Sequence, residues 1–169
     1  MIIKSALRMS SIKPPVVDPR INEAIKDYLD VEQFVPYLIQ KDITFFAGVP
    51  DPIQKSFISY LVDHHPKNNI VCANEGLALS CAAGNYMATK KFPCIYLQNS
   101  GIGNLINPFL SLAHQNIYSI PMLMMIGWRG EPGFRDEPQY LVQGRITDTL
   151  LTSMGINFDV LPDYIEGAI

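Results

Sequence analysis

The sequence predicts an α/β domain whose core is a doubly wound, parallel sheet of about five to six strands with helices on both faces. Short apolar runs typical of strands alternate along the chain with segments of helical periodicity. In three places such a run ends in a turn rich in glycine, proline or asparagine, and a helical pattern follows directly. The run Met122–Gly127 is apolar throughout, as expected of a parallel strand covered on both faces.

Each predicted element follows from its local pattern. Runs of β-branched, aromatic and other apolar residues predict strands near 43–47, 70–73, 94–98, 122–127 and 158–161. Apolar residues at helical spacing predict helices over 31–40, 53–62, 77–89 and 147–154, and one that follows Asn104 and ends near Ala113. Pro36 lies within the first helix, so we expect that helix to bend or to begin late. The small side chains of the helix over 77–89 should let another backbone, of this chain or of a second subunit, approach closely.

The composition is that of an ordinary globular domain. With 169 residues, of which 48% are hydrophobic and 17% charged, the chain can bury one sizeable core. The net charge of -3 argues against a nucleic-acid partner, and no apolar run reaches the roughly 18 residues that a membrane span requires. Cys72, Cys81 and Cys94 lie in apolar segments without metal-ligand spacing. We therefore expect buried thiols, no metal site in this chain, and a reducing, cytoplasmic location.

The first 29 residues are predicted to form a flexible leader, and residues 30–169 the folded domain. Lys4, Arg8 and Lys13 precede the first acidic residue in a segment with several serines. Two interpretations remain open for this pattern: a disordered leader, and a mitochondrial transit peptide, although the segment is short and contains two consecutive prolines.

Glu75 stands between a predicted strand and the small-residue helix. Two interpretations remain open. An acid in the first turn of a helix is favoured by the positive end of the helix dipole, and this alone accounts for a carboxylate there. Alternatively, Glu75 lies at the carboxyl edge of the buried sheet, where open α/β folds bind their ligands, and handles protons in a site that excludes water.

Asp51 follows the first predicted strand, in the turn Gly48–Pro52. With Pro52 at the first helical position, Asp51 is a good helix N-cap. A strand that ends in a glycine and proline turn is also a place for a functional loop, so both interpretations of Asp51 are kept.

The turn Asn99–Asn104 contains a Ser-Gly-x-Gly motif and follows the third predicted strand. Several backbone N–H groups of such a turn can point at an anion. The turn lacks the Lys-Ser/Thr pair of a P-loop and the third glycine of a dinucleotide fingerprint. Nucleotide binding by that route is therefore disfavoured.

A loop dense in charge, glycine and proline follows the fourth strand, at residues 128–139. A loop of this length without its own secondary structure is either a solvated connector or a functional loop. It contains Arg129 and Arg135, and Arg145 follows it. Arginine forks bind carboxylate, phosphonate and sulfonate groups, so we predict that Arg129 and Arg135 bind an anionic substrate, with Asn104 as a further contact.

Several motifs together resemble phosphonopyruvate decarboxylase: Gly48–Asp51, Ala73–Gly76, Gln98–Asn104, Gly127–Gly133 and Asp136–Gln139. The Gly-Trp-Arg-Gly-Glu-Pro-Gly block is the most specific of them. The resemblance covers roughly residues 30 to 161. It implies a thiamine diphosphate enzyme, in whose fold residues 30–169 form the pyrimidine-binding domain.

The resemblance also implies roles for individual residues. Glu75 is expected to hydrogen-bond the aminopyrimidine ring of thiamine diphosphate and to drive formation of the reactive ylid. The other cofactor contacts are expected from Asn74 and from the turn formed by Asn99, Ser100 and Gly101, which together with Asp51 borders the reacting carbonyl. The implied reaction converts 3-phosphonopyruvate, a small anionic 2-oxo acid, to phosphonoacetaldehyde and CO2 in phosphonate biosynthesis.

Enzymes of this family continue into a second domain that holds the diphosphate through Mg²⁺ with a Gly-Asp-Gly segment and a downstream asparagine. This sequence contains no such segment. We therefore expect thiamine diphosphate and Mg²⁺ as cofactors, with the metal ligands in a partner domain or subunit of a homo- or hetero-oligomer.

Three possibilities remain open. The chain is the pyrimidine-binding chain of a decarboxylase split over two polypeptides, similar to the α subunit of sulfopyruvate decarboxylase; or a truncated product of a phosphonopyruvate decarboxylase; or a non-catalytic relative that only associates with a complete enzyme. We favour an enzyme-derived chain whose activity needs a partner domain.

Overall fold

A parallel sheet of six strands with helices on both faces forms the core of the structure, a computed structural model that describes residues 2–3 and 29–169. The strands are β1 (Ile2–Ile3), β2 (Phe45–Gly48), β3 (Asn69–Val71), β4 (Pro93–Gln98), β5 (Leu123–Gly127) and β6 (Val160–Leu161). The helices are α1 (Val31–Gln40), α2 (Lys55–His64), α3 (Glu75–Thr89), α4 (Ile102–Pro108), α5 (Leu141–Ser153) and α6 (Ile165–Ala168). Short 3₁₀ turns precede α2, α4 and α5, at Pro52–Gln54, Asn99–Gly101 and Pro138–Tyr140, and a π turn, Phe109–Ala113, follows α4.

The strands lie in the order β3-β2-β4-β5-β1-β6, and every neighbouring pair is parallel. The centre of the sheet is β4, which pairs with β2 and β5 and is buried at every position except its last. This arrangement confirms the predicted α/β class. All five predicted strands are present within a few residues of their predicted positions.

The sixth strand, β1, was not predicted, because two residues are too short to carry a periodic pattern. Ile2 and Ile3 pair with Ile126 and Gly127 of β5 on one side and with β6 on the other. They lie inside the predicted flexible leader. Residues 4–28 are outside the described part of the chain, so the remainder of that leader, and the transit peptide considered for it, stay predictions.

Two apolar cores cover the two faces of the sheet. Along β4, Ile95 and Leu97 point into one core, which is closed by α3, α4 and α5, whereas Cys94 and Tyr96 point into the other, closed by α1 and α2. The side-chain period of a strand is two, so a strand that is apolar at successive positions must be covered on both faces. The prediction of a doubly wound sheet is therefore confirmed.

Several helix starts differ from the predictions: α2 begins at Lys55 rather than at residue 53, and α4 begins at Ile102 rather than after Asn104. In α1, the side chain of Asp30 accepts the N–H groups of Glu32 and Gln33, so the helix begins at Val31 and Pro36 does not delay it. The next difference is at α3, which begins at Glu75 rather than at residue 77. The helix α5 begins at Leu141, whereas its predicted start is Thr147.

The early start of α5 has a packing reason. Gly144 lies in its second turn, and a Cβ atom there would stand 1.7 Å from the carbonyl oxygen of Gly130. Glycine disfavours helix formation, so Gly144 weakens the helical pattern in the sequence. The close contact between α5 and Gly130 nevertheless requires a glycine at this position. The predicted end of the helix at Gly155, where φ is +69°, is confirmed.

The cysteine prediction holds for two of the three thiols. Cys72 and Cys94 are buried, and burial raises the pKa of both, whereas Cys81 is only half-buried. All three are free. In the part of the chain that the structure describes, no helix is long and apolar enough to cross a membrane.

Candidate active site

The predicted site residues meet at the carboxyl edge of the sheet. Gly48, the last residue of β2, pairs with Tyr96 of β4, and Gln98, the last residue of β4, pairs with Gly127, the last of β5. The segments that follow these three strands therefore leave the sheet side by side. They carry Asp51, the Asn99–Gly101 turn and the arginine loop, and the N-terminus of α3 adds Glu75.

Glu75 is held on two sides. Its side chain is 8% exposed, and Nδ2 of Asn104 donates a hydrogen bond of 2.6 Å to its Oε2. Its Oε1 lies against Gly101, where a Cβ atom would stand only 2.1 Å away. Asn74 caps the same helix by accepting the N–H of Leu77 at 2.9 Å. Glu75 is thus a first-turn acid, as one interpretation holds, and also a buried carboxylate at the ligand edge, as the other does.

Asp51 is more buried than Glu75, at 3% exposure, and neither of its carboxyl oxygens makes a hydrogen bond of normal geometry to the described residues. It occupies the predicted N-cap position of the turn before α2 but makes no capping hydrogen bond. Burial raises its pKa to about 6; the charge of Arg129 and the N–H groups of Ile53 and Gln54 lower it, and Asp136 adds a small increase. A buried acid that titrates near neutral pH is suited to proton transfer.

Asn99 joins three segments at this edge. Its Nδ2 donates to the carbonyl oxygen of Arg129 at 2.8 Å and to Oγ1 of Thr147 at 3.0 Å, and its Oδ1 accepts the N–H of Arg129 at 3.2 Å. These bonds tie the turn after β4 to the arginine loop and to α5. Ser100, in contrast, is exposed, and its hydroxyl accepts from Gln98 at 2.6 Å. Of the predicted cofactor contacts in this turn, the Asn99 side chain is therefore already engaged within the protein.

Arg129 is engaged too. Its guanidinium makes a two-pronged ion pair with Asp136, at 2.8 and 2.6 Å, and its centre lies 3.9 Å from the middle of the Tyr140 ring. Asp136 also accepts the N–H of Gly130, and the Arg129 guanidinium holds the pKa of Asp136 well below its usual range. Arg135 and Arg145, the other two predicted arginines, are exposed. The structure does not gather the three arginines into one group of free side chains.

Three polar residues of this edge were missed in the sequence. The first, Gln54, is 2% exposed and lies where a helix-forming residue was predicted. Its Nε2 donates to the carbonyl oxygens of Leu97 at 2.9 Å and Met125 at 3.0 Å. The second and third are Asp136 and Thr147. For Gln54, one signal was visible in the sequence, a glutamine among apolar helix positions. Asp136 and Thr147 showed none, because their partners lie 7 and 48 residues away in the chain.

The described residues contain no group of three or more His, Cys, Asp or Glu side chains that could hold a metal ion. A cavity of about 660 Å³ lies elsewhere, beside the amino ends of β5 and β6. Parallel α/β sheets bind their ligands at the carboxyl ends of the strands, so we place the candidate site at the carboxyl edge and not in that cavity.

The sequence is similar to those of several known proteins. The sequence profile described as thiamine pyrophosphate enzyme, N-terminal TPP binding domain, matches residues 31–150. The chain is 36% identical over 124 residues to phosphonopyruvate decarboxylase of Streptomyces viridochromogenes, which covers 73% of this chain and 30% of that protein. It is 35% identical over 117 residues to sulfopyruvate decarboxylase subunit alpha of Methanothermobacter thermautotrophicus, covering 69% of this chain and 68% of the relative.

A second sulfopyruvate decarboxylase subunit alpha, from Methanocaldococcus jannaschii, is 34% identical over 115 residues, which cover 68% of this chain and 65% of that protein. The chain thus spans less than a third of the phosphonopyruvate decarboxylase it matches, but about two thirds of these alpha subunits. The family profile extends from α1 into α5 and so includes every residue of the candidate site. The chain belongs to the thiamine pyrophosphate enzymes that share this N-terminal TPP-binding domain, and it is homologous to phosphonopyruvate decarboxylase and to the alpha subunit of sulfopyruvate decarboxylase.

Proposed function

We propose that this chain is the pyrimidine-binding half of a thiamine diphosphate-dependent decarboxylase that converts 3-phosphonopyruvate to phosphonoacetaldehyde and CO2. The observation that carries the proposal is the Glu75 carboxylate, which is buried at the carboxyl edge of the sheet and oriented by Asn104. The names of two similar relatives, both phosphonopyruvate decarboxylases, suggest the reaction class.

The site residues fit the pyrimidine half of the cofactor. An aminopyrimidine ring offers ring nitrogens and an amino group, and a carboxylate with about four lone-pair sites can accept a hydrogen bond from it in addition to the bond from Asn104. The fit ends there, because the described residues include no cluster that would hold Mg²⁺ and the diphosphate. We infer that a second domain or subunit supplies those groups.

In this proposal each residue has a distinct task. Thiamine diphosphate, when bound, supplies the electron sink that decarboxylation requires. Glu75 holds a proton against the pyrimidine ring, and Asn104 keeps the carboxylate in place. Asp51 donates the proton that takes the place of the departing carboxyl group on the product, after which solvent reprotonates it. The pKa of Asp51, about 6, lets both of its forms occur near neutral pH.

A surface beside Glu75 suits the missing partner. The exposed side of α3, α4 and the π turn after α4 includes several apolar and small residues. They are Leu77, Gly84 and Met87 on α3, Ile106 on α4 and Leu110 in the π turn. Apart from the backbone of α3 itself, no described residue lies within 4 Å of the place where a Cβ atom of Gly84 would stand, so another backbone can approach there. We infer that a diphosphate-binding domain or subunit docks on this α3–α4 face and completes a homo- or hetero-oligomer.

The anionic end of the substrate is assigned to the arginine loop. Arg135 is exposed and, among the described residues, makes no ion pair, so its guanidinium can turn to an incoming phosphonate. For Arg129, a phosphonate would have to compete with Asp136. We therefore infer that Arg135 contributes more to substrate binding than Arg129, and that the predicted substrate contact Asn104 serves Glu75 instead.

Mutation of these arginines provides a direct test. In the assembled enzyme, Arg135→Ala should raise the KM for phosphonopyruvate at least tenfold more than the KM for an uncharged 2-oxo acid, because a charge-assisted hydrogen bond contributes about 1.5–3 kcal/mol. Arg145→Ala, on the outside of α5, is the matched control and should change neither KM. Equal effects of Arg135→Ala on both substrates would contradict an anion-binding role.

A second candidate function is the alpha subunit of a split sulfopyruvate decarboxylase. The observation in its favour is that this chain covers about two thirds of those subunits but only 30% of the phosphonopyruvate decarboxylase. Either assignment places the protein in the cytoplasm, where three free thiols remain reduced.

One experiment separates these functions. The chain is mixed with a diphosphate-binding domain or subunit from either type of relative, with thiamine diphosphate and Mg²⁺, and aldehyde formation is measured with phosphonopyruvate and with sulfopyruvate. The proposal requires faster turnover of phosphonopyruvate. Faster turnover of sulfopyruvate would select the second candidate, and binding of a partner without turnover of either acid would mean a non-catalytic relative.

A further inference from the structure

Three buried acceptor oxygens at the candidate site make no hydrogen bond of normal geometry to the described residues. Two are the carboxyl oxygens of Asp51, and the third is Oε1 of Gln54. Buried polar atoms are nearly always hydrogen-bonded, so an unpaired group at a ligand-binding edge requires an explanation. The carboxyl oxygen Oδ2 of Asp51 and the Nε2 of Gln54 stand 2.1 and 3.3 Å from the position that a Cβ atom of Gly127 would take. The amide and the carboxyl group thus share the space above that glycine.

The side-chain amide of Gln54 cannot relieve Asp51. An amide nitrogen has two hydrogens, and both of those on Gln54 are used, one by the carbonyl oxygen of Leu97 and one by that of Met125. The opposite orientation of the amide would set Oε1 against two carbonyl oxygens, so the hydrogen bonds fix the orientation. The amide of Gln54, which shares the space above Gly127 with Asp51, therefore donates to the ends of β4 and β5 and not to Asp51.

We propose that Gln54 is a positioning residue for Asp51: by keeping its own N–H groups on the strand carbonyls, it leaves the Asp51 carboxyl group without a side-chain donor, so that Asp51 retains a proton to give to the product. This inference rests on the proposed function for its catalytic meaning. It adds to that function a residue whose side chain touches neither substrate nor cofactor.

The proton balance of the step is simple. The bond between the keto carbon and the carboxyl group breaks, CO2 leaves, and the electron pair stays on the carbon. The O–H bond of Asp51 then breaks and a C–H bond forms, which completes the aldehyde. The Asp51 carboxylate takes a new proton from solvent before the next turnover.

Other charges near Asp51 act in both directions. The Arg129 guanidinium lowers the pKa of Asp51, the Asp136 carboxylate raises it, and the backbone N–H groups of Ile53 and Gln54 lower it. All of them come from the two loops that follow β2 and β5. None of these groups is changed by a substitution of the Gln54 side chain, so their contributions cancel when variants are compared.

Two variants separate a positioning role from a merely structural one. Both Gln54→Met and Gln54→Asn break the bonds to the carbonyls of β4 and β5, and both should lower the melting temperature. Only the shorter asparagine brings free N–H groups near Asp51. We expect Asp51 to titrate near pH 6 in wild type and in Gln54→Met. In Gln54→Asn, the affinity of the Asp51 carboxylate for a proton should be at least tenfold lower. The measurement is the ¹³C carboxyl resonance of Asp51 in the full chain, assigned with Asp51→Asn.

Equal pKa values of Asp51 in Gln54→Asn and Gln54→Met would overturn the proposal, because both variants lose the hydrogen bonds between Gln54 and the strands. Should neither variant fold, wild type alone decides. Its Gln54 side-chain N–H resonances should exchange slowly with solvent and keep their positions while Asp51 titrates. Fast exchange, or a shift of those resonances toward Asp51 at high pH, would equally overturn it.

The assembled enzyme tests the proposed function separately. If Asp51 donates the proton, turnover should fall as pH rises through the Asp51 titration, and this limb should move to lower pH in Gln54→Asn. The pKa of Asp51 could change in Gln54→Asn while the pH dependence of turnover stays the same. That result would support the positioning role of Gln54 and contradict the catalytic role of Asp51.

Discussion

Among single residues, the two acids of the site have unlike surroundings. Glu75 begins α3, where the helix dipole favours negative charge, and accepts a hydrogen bond from Asn104. Asp51 is without a hydrogen bond of normal geometry to the described residues, and burial raises its pKa. One acid is held by a hydrogen bond, and the other has a raised pKa.

Replacement of Glu75 should affect catalysis far more than stability. Glu75→Gln keeps the shape of the side chain but removes the ionisable carboxylate, so the melting temperature should stay near that of wild type while kcat in the assembled enzyme falls about 10²-fold or more. The measurement is C2-proton exchange of thiamine diphosphate. Glu32→Gln, a change to the first-turn acid of α1, is the matched control. Unchanged exchange in Glu75→Gln would leave Glu75 as a first-turn acid worth only about 0.3–1 kcal/mol.

The pKa of Asp51 predicts how stability depends on pH. The unfolded chain binds this proton near pH 3.8 and the folded chain near pH 6, so the stability that Asp51 contributes is full below pH 3.8 and is lost as pH rises through 6. Asp51→Asn removes the titration. We therefore expect its free energy of unfolding, relative to wild type, to increase by about 2 kcal/mol between pH 4 and pH 7. Urea unfolding at both pH values measures this, and parallel curves for the two proteins would contradict it.

The site residues that could be read from the sequence are those that directly follow strands. Glu75 and Asp51 were found in this way. Asn104 was predicted as a substrate contact, which stays a prediction, and its hydrogen bond to Glu75 was missed because the two residues are 29 apart and only the fold brings them together. The buried glutamine, Gln54, looked like any helix residue. Sequence reasoning therefore located the candidate acids at the strand ends and missed the side chains that lie around them.

At the level of elements, the arginine loop is stiffened from within. Asp136 binds both the guanidinium of Arg129 and the N–H of Gly130, Tyr140 covers the guanidinium, and Asn99 holds the Arg129 backbone. A glycine and proline loop of this length would otherwise lose much conformational freedom on binding a ligand. The ion pair thus holds the loop in one conformation without a bound ligand.

Loss of this ion pair should be measurable. Asp136→Asn should lower the free energy of unfolding by about 1–2 kcal/mol at pH 7, since the pair is largely buried and two-pronged. The pKa of Asp136 is lowered in the folded chain, so this stabilisation is present above the unfolded pKa and is lost only in strong acid. Thermal unfolding at pH 7 checks the prediction.

An exposed ion pair in the same chain serves as the control for Asp136. Lys91 and Asp42 are 2.8 Å apart, but about half or more of each side chain is exposed, so Asp42→Asn should change stability by less than about 0.5 kcal/mol. A loss in Asp136→Asn no larger than in Asp42→Asn would mean that the loop is not held by its ion pair.

The elements themselves were predictable where their patterns were long. The apolar runs of β2, β4 and β5 identify these strands, because buried parallel strands leave little other choice of residue. In contrast, α5 was placed six residues late, since Gly144 is selected by its contact with Gly130 and not by helix propensity. The two-residue β1 is defined only by its neighbours in the sheet.

Over the whole molecule, the α3–α4 face should determine whether a partner binds. Met87 and Leu110 are 58% and 40% exposed on this face, so Met87→Glu and Leu110→Glu should leave the melting temperature of the chain unchanged. Both should weaken binding of a diphosphate-binding partner at least tenfold, because a charge would be buried without a counter-ion. Titration calorimetry measures the affinity. Val142→Glu, at an equally exposed position of α5, is the control; a similar loss with it would place the interface elsewhere.

Each acid of the site rests directly on a glycine: Glu75 on Gly101 and Asp51 on Gly127. A single methyl group at either glycine would collide with a carboxyl oxygen at 2.1 Å and push the acid outward, leaving its chemistry intact. Gly101→Ala and Gly127→Ala should therefore displace an acid without changing its chemical identity. A displacement of about 1 Å can slow a reaction about 10²-fold. The glycine beneath each acid therefore determines how deeply that acid lies in the protein.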